Sequence, residues 1–209
     1  MSARPTRLPW LAFAATLFGV LASSGVLGPV SELALARGRV LDEPFRLWTG
    51  HFVHFNATHV VADLVPFAIW AALVERDSRG LLAVTLAVGT AALSVALLLA
   101  CPELSTYRGL SGLDCALAVE LIALRLGPRF AETPPGVRRV ALAAAALFAL
   151  KCGFELVTGH AVAARDLGQG VSLLPEAHYF GAAIGCAFAL SLGAHGRPKP
   201  AVSTAEARP

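Results

Sequence analysis

The chain has 209 residues, of which 56% are hydrophobic and 15% are charged, and its formal net charge is +3. With a mean hydropathy of +0.66, this composition excludes an ordinary soluble domain and indicates a polytopic membrane protein. The sequence has no basic and aromatic patch of the kind that binds nucleic acid, so nucleic-acid binding is excluded as well.

Six apolar runs follow one another along the chain, at lengths suited to a hydrocarbon core of about 30 Å. They cover residues 9–27, 60–73, 81–100, 109–126, 140–156 and 173–194. The second run is short and needs residues 55–58 to complete its span. We predict an all-α membrane domain of six transmembrane helices over residues 1–195. A tail rich in proline, alanine and charge, residues 196–209, is predicted to be disordered.

The basic residues predict the orientation of these runs. Eleven of the seventeen Lys and Arg residues lie before the first run, between the second and third, at the end of the fourth or between it and the fifth, or after the sixth. The positive-inside bias therefore places both termini in the cytoplasm and segments 30–55, 101–108 and 159–172 outside. Residues 1–29 also fit a secretory signal, whose removal would leave the orientation of the other five runs unchanged.

Three histidines and an aspartate lead into the second run, namely His51, His54, His59 and Asp63. Imidazoles with a carboxylate suit zinc or iron, so a metal site or a metal transporter is one interpretation. The sequence has no HExxH, the usual motif of intramembrane metalloproteases. The four cysteines have no CxxC spacing and are interpreted as small buried hydrophobic residues.

The fourth run opens with Gly109-Leu110-Ser111-Gly112 directly after an outer segment. This order predicts a serine near a helix N-terminus, where unpaired backbone N–H groups can bind a developing anion. The flanking glycines allow close approach of a substrate. The alternative is that these small residues serve only helix packing.

The sixth run carries His178 about one turn from its outer end, followed by Gly181 and Gly185. This Gly-x-x-x-Gly spacing favours a tight crossing with the fourth run, through Gly112 and Ala116. Such a crossing would let His178 accept the proton of the Ser111 hydroxyl. The alternative is a histidine bonded to a neighbouring carbonyl.

The fifth run contains Lys151 and Glu155, one helical turn apart. Inside a bundle they can neutralise each other, and we interpret them mainly as a structural ion pair, with substrate recognition as the alternative. Asp114 and Glu120 in the fourth run are further acids without assigned partners, and Asp114 can also reach Lys151 in principle.

Together these segments resemble the rhomboid family of intramembrane serine proteases, in the family's order from Leu41 to Gly185. Glu43 and Arg46 match the first loop of the family, and Glu75-Arg76 matches the end of its second span. The motif HxxxxHxxxN is matched by His54, His59 and, in place of Asn, Asp63. GxSG is matched by Gly109, Ser111 and Gly112, and AHxxGxxxG by Ala177, His178, Gly181 and Gly185.

The resemblance implies a Ser–His dyad without a third carboxylate, with Ser111 as nucleophile and His178 as base and then acid. It implies an oxyanion site formed by the Ser111 N–H and His59, with Asp63 protonated, turned away or engaged with His59. Cys115 replaces the family's usual aromatic residue. Gly109, Gly112 and His54 would complete the substrate site, while the roles of Glu43, Arg46, Gly181, Gly185, Lys151 and Glu155 would be structural.

Within the family the chain looks most like the rhombosortase subgroup, thought to process surface proteins with a C-terminal Gly-Gly-containing anchor. The expected protein is thus a bacterial inner-membrane protease that needs no metal or organic cofactor. Its expected partners are a single-pass transmembrane substrate and the lipid bilayer. Two other functions stay open: a catalytically silent rhomboid-like protein that binds transmembrane clients, and the metal or small-molecule transporter.

Overall fold

The computed structural model describes residues 8–126, 134–158 and 174–195. Two short strands, β1 (Leu35–Ala36) and β2 (Thr106–Tyr107), pair antiparallel. A 3-10 turn, Gly50–Phe52, follows α3, and a π-helical segment, Thr85–Gly89, joins α5 to α6. The helices are α1 (Trp10–Ser23), α2 (Val30–Leu33), α3 (Arg46–Thr49), α4 (Ala57–Asp77), α5 (Arg79–Val84), α6 (Thr90–Ala100), α7 (Ser111–Leu126), α8 (Pro135–Thr158) and α9 (Pro175–His195).

Each of the six apolar runs coincides with a helix or, for the third run, with the continuous rod from α5 to α6. Two of these rods, Ala57–Asp77 and Arg79–Ala100, are long and apolar enough to cross a membrane, while Trp10–Ser23 is a shorter apolar helix. The mostly helical prediction is therefore confirmed. The predicted outer segment 159–172 and the tail 196–209 lie outside the described residues.

Helix α4 begins three residues earlier than the second apolar run. Asn56 precedes its first turn, and the Asn56 side-chain oxygen accepts the backbone N–H of His59 at 2.8 Å. This is an N-cap, which satisfies one of the unpaired donors of the first turn. The cap therefore fixes where α4 starts, and with it the position of His59.

Helices α7 and α9 cross almost in backbone contact. A Cβ built on Gly181 would lie 1.9 Å from the Gly112 carbonyl oxygen, and one on Gly185 would lie 2.3 Å from the Ala116 oxygen. A Cβ on Gly112 would lie 2.9 Å from the Ala177 oxygen. Only glycine fits at these positions, so the small residues of both helices set the distance between the two backbones.

The segment before α4 is folded against the bundle around a buried arginine. The Arg46 side chain is 0% exposed, and its Nη1 donates to the carbonyls of Ser31 and Ala34 at 3.0 and 2.8 Å. Its Nε donates to the partly exposed carboxylate of Glu43. Because the guanidinium satisfies several backbone acceptors at once, it holds this otherwise irregular segment in one conformation.

Strand β1 lies in the same segment and connects it to the chain that leads into α7. Leu35 pairs with Tyr107, and Ala36 pairs with Thr106. Gly50 packs against Leu35 so closely that a Cβ there would lie 2.5 Å from the Leu35 nitrogen. The Gly50 carbonyl also accepts the N–H of Gly109 at 3.3 Å. The segment before α4 thus positions the loop that precedes Ser111.

The C-terminal ends of α4 and α7 are joined by one ion pair. Asp77 lies 2.6 Å from Arg125. Glu75, at the same end of α4, accepts the N–H of Ala12 at 2.9 Å and pairs with Arg79 rather than with its neighbour Arg76. Glu75 therefore caps the first turn of α1, where unpaired N–H groups favour a negative charge.

Candidate active site

Ser111 is the first residue of α7, and the loop before it depends on a glycine. Gly109 has a φ of +128°, a conformation that side chains rarely adopt. A Cβ there would also lie 3.0 Å from Asp63 Oδ2 and 3.1 Å from the His59 ring. Ser111 is thereby held at a helix N-terminus, where backbone N–H groups lack intrahelical acceptors.

Asp63 anchors this loop from α4. Its Oδ2 accepts the Leu110 N–H at 2.9 Å and lies 3.2 Å from His59 Nε2 and 3.4 Å from His54 Nε2. His54 Nδ1 in turn shares a hydrogen bond of 2.9 Å with the Ser23 hydroxyl of α1. Of the three expectations for Asp63, the structure shows engagement with His59. It adds a backbone partner and a second histidine.

His51 lies apart from this group. Its Nε2 bonds the Ser94 hydroxyl at 2.8 Å, and its ring packs edge-on against Tyr107 at 5.2 Å. Burial lowers the pKa of His51 to about 4, while hydrogen bonding to the backbone of Gly109 and Thr90 opposes this shift. In the described part of the chain no three His, Cys, Asp or Glu side chains form a group that could hold a metal ion.

His178 lies on the first turns of α9, at the crossing with α7. Its neighbours Ala177 and Gly181 are the residues that touch Gly112, which follows Ser111 directly. Both Ser111 and His178 line one cavity. The glycine contacts thus bring the hydroxyl of α7 and the imidazole of α9 to the same end of the same pocket.

The Nδ1 atom of His178 is already occupied, by a carboxylate from α8. It lies 2.8 Å from Glu155 Oε2, and the two side chains are 4% and 2% exposed. The same oxygen accepts a hydrogen bond from Lys151 Nζ at 2.8 Å. Within the described residues Lys151 forms its ion pair with Glu155 and none with Asp114.

The cavity that contains Ser111 and His178 has a volume of about 630 Å³ and lies between α4, α7 and α8. Its polar end gathers seven side chains, whereas the remainder is lined mainly by apolar groups such as Trp70, Ile122 and Phe148. A pocket of this kind, apolar with a few convergent polar groups, is the usual form of a binding site. The polar set is His59, Asp63, Ser111, Asp114, Lys151, Glu155 and His178.

Sequence reasoning missed two parts of this arrangement. Glu155 was expected to pair only with Lys151, since spacing along one helix says nothing about a histidine on another. Tyr107 was assigned no role, yet its phenol lies beside the Ser111 side chain. Burial raises the pKa of Tyr107, the Asp63 charge adds to this shift, and the Ser111 hydroxyl opposes it. An aromatic residue four positions before the serine was the available signal.

The model of the Rhomboid domain matches residues 41–195 of the chain. No curated protein matches the chain. The matched region is about three quarters of the chain and contains α4, α7, α8 and α9, which carry Asp63, Ser111, Glu155 and His178. This membrane protein therefore belongs to the rhomboid family, whose proteases are intramembrane serine proteases acting on membrane-protein substrates.

Proposed function

We propose that this chain is an active intramembrane serine endopeptidase in which Ser111 is the nucleophile and His178 the general base. The observation that carries the proposal is the crossing of α7 and α9. It places both residues at the polar end of one cavity, with His178 Nδ1 bonded elsewhere and Nε2 left to act. A catalytically silent client-binding protein would not need a serine and a histidine in one cavity.

The reaction begins when the Ser111 hydroxyl attacks the scissile carbonyl and His178 Nε2 takes its proton. The proton then passes to the leaving amine, and an acyl-enzyme remains on the serine. Water, activated by the same imidazole, attacks the acyl carbonyl and releases the carboxylate product. We assign oxyanion binding to the backbone N–H of Ser111, which lies at the start of α7.

His59 is proposed as the second donor of the oxyanion site. Its Nε2 faces Asp63, and in the described structure its Nδ1 is buried without a partner. Asp63 therefore engages one nitrogen of the ring and leaves the other available to the oxyanion. With its carboxylate bonded to His59 and to the Leu110 N–H, Asp63 does not prevent this role.

The expected substrate is a single-pass transmembrane anchor of an exported protein, cut near its outer end. The apolar part of the cavity, which runs from Ser111 towards Arg125, suits the side chains of such an anchor. We further propose six spans with both termini in the cytoplasm, a bacterial inner-membrane location, and C-terminal Gly-Gly-type anchors as substrates, as in the rhombosortase subgroup.

The activity is tested by expressing the chain with reporter proteins that end in a Gly-Gly segment, a short apolar helix and a basic tail. Wild type should release the reporter, and Ser111→Ala and His178→Ala should not. Ser191→Ala removes an exposed hydroxyl elsewhere on α9 and is the matched control. Equal release by wild type and Ser111→Ala would refute the protease assignment.

Orientation is tested with single cysteines in a background where the natural cysteines are replaced. Glu103→Cys lies on the predicted outer side and Arg76→Cys on the predicted inner side, and both positions are exposed. A membrane-impermeant thiol reagent should label the first and not the second in intact cells. The reverse pattern would invert the proposed topology.

A further inference from the structure

The side chain of Glu155 is buried more deeply than its ion pair with Lys151 alone would require. It is 2% exposed on α8, while its helical neighbour Lys151 is one-third exposed. A simple surface ion pair would leave both groups near solvent, since burying a carboxylate is costly. The burial of Glu155 is compensated by a contact with a different helix, at His178 on α9.

This contact decides which nitrogen of His178 can act as a base. A carboxylate only accepts hydrogen bonds, so the 2.8 Å contact with Oε2 requires a proton on Nδ1. In the neutral imidazole the other nitrogen, Nε2, then has a free lone pair. The bond therefore selects the tautomer in which His178 can take a proton from a hydroxyl in the cavity.

We propose that Glu155 is a positioning residue that completes a Ser111–His178–Glu155 triad, contributed by the helix that also forms a wall of the cavity. The inference deepens the proposed function and rests on it. As Ser111 Oγ attacks the carbonyl, its proton moves to His178 Nε2, and the imidazolium is stabilised by the Glu155 carboxylate. Glu155 stays ionised throughout, and the proton leaves His178 for the departing amine.

Lys151 has a supporting part in this arrangement. Its Nζ donates to the same Oε2 atom that His178 contacts. The ammonium thus fixes the rotamer of Glu155 and balances its charge inside the bundle. A carboxylate held from two sides orients the imidazole more firmly than one free to rotate.

The test uses a fluorophosphonate probe, which reacts with an activated serine and needs no identified substrate. Labelling of purified, monodisperse protein is followed at several probe concentrations, which separates the maximal rate from the probe affinity. Glu155→Gln should lower the maximal rate at least 100-fold with little change in affinity, because the amide can donate to Nδ1 and select the wrong tautomer. Glu155→Asp should recover part of the loss.

Glu176→Gln is the matched control, since it removes a negative charge from the same end of α9 at an exposed position. It should label like wild type. The inference is overturned if Glu155→Gln labels within threefold of wild type, or if Glu176→Gln falls as far. If Ser111→Ala were labelled as fast as wild type, the proposed function itself would be refuted. The failure of the inference and the failure of the proposed function are therefore distinguishable.

A second measurement covers the case in which the Glu155 variants do not fold. In wild-type protein labelled with ¹⁵N-histidine, the neutral His178 ring should carry its proton on Nδ1, with the signal assigned by its loss in His178→Ala. A neutral ring protonated on Nε2 would overturn the inference without any change at Glu155.

Discussion

The contact between Gly181 and Gly112 allows one substitution to be worked through in detail. A Cβ at position 181 would lie 1.9 Å from the Gly112 oxygen, whereas real Cβ atoms essentially never come within 3.0 Å of another atom. The opposing atom is backbone, so Gly181→Ala must push α7 and α9 apart by about 1 Å. Overpacking of this kind costs about 1–3 kcal/mol of stability.

The same shift acts on the site, because His178 lies one turn before Gly181 and Ser111 lies beside Gly112. A misplacement of about 1 Å between reacting groups costs about 100-fold in rate. Gly185→Ala should cost less, since its Cβ would lie 2.3 Å from the Ala116 oxygen and the crossing there is one turn further from His178.

Both effects are measurable on purified protein, by thermal unfolding in detergent and by fluorophosphonate labelling. Gly153→Ala on α8 is the matched control, because its Cβ would meet nothing within 4 Å. Alanine there should leave labelling unchanged and stabilise the helix by about 0.5–1 kcal/mol. Wild-type stability and labelling in Gly181→Ala would show that the two helices do not touch as described.

Substitutions at three further positions test other parts of the structure. Burial lowers the pKa of His51 to about 4, so on acidification the unfolded state takes up this proton at a higher pH than the folded state does. The free energy of unfolding should therefore fall by about 3 kcal/mol as the pH drops from 6.5 to 4. Melting temperatures across that range should show a smaller slope in His51→Gln, and an equal slope would refute the assignment. Asp63→Ala should lose about 1–3 kcal/mol, because the Leu110 N–H is left buried without an acceptor, while Asp63→Asn should keep most of the stability; equal melting points for the two variants would contradict this. Arg46→Met should lose at least roughly 2 kcal/mol, since the Ser31 and Ala34 carbonyls lose their donor, and chemical unfolding at neutral pH would show no loss if the guanidinium were dispensable.

The helices could be predicted from the sequence because their signal is local. Apolar runs of sufficient length indicate where the main helices lie, and the Gly109–Gly112 motif indicates where α7 starts. The Asn56 cap, which sets the start of α4, was found only in the structure. The short strands β1 and β2 were not predictable in this way. A strand of two residues is too short to show an alternating apolar pattern. In addition, Leu35 and Tyr107 pair across a long stretch of chain.

Only the part of the site that lies in sequence motifs could be predicted. The motifs around Ser111 and His178 identify the two reactive groups but not their neighbours. Glu155 and Lys151 are one turn apart, and their pairing follows from that spacing. The contact from Glu155 to His178 depends on how α8 packs against α9, a property of the assembled bundle. His51 shows the converse, since its proximity in sequence to His54 and His59 suggested a shared site that the fold divides.

The reactive side chains of the cavity are held in position in two different ways. Ser111 and His178 are fixed by backbone contact between α7 and α9, where no flexible side chain intervenes. The proton position on His178 is fixed by a side chain of α8, which forms another wall of the cavity. Changes at the glycines should therefore reduce stability and activity together, whereas changes at Glu155 should reduce activity with a smaller effect on folding. An anchor helix that displaced α8 on entry would also move Glu155, so that the imidazole would reach its reactive tautomer only when α8 returned against α9.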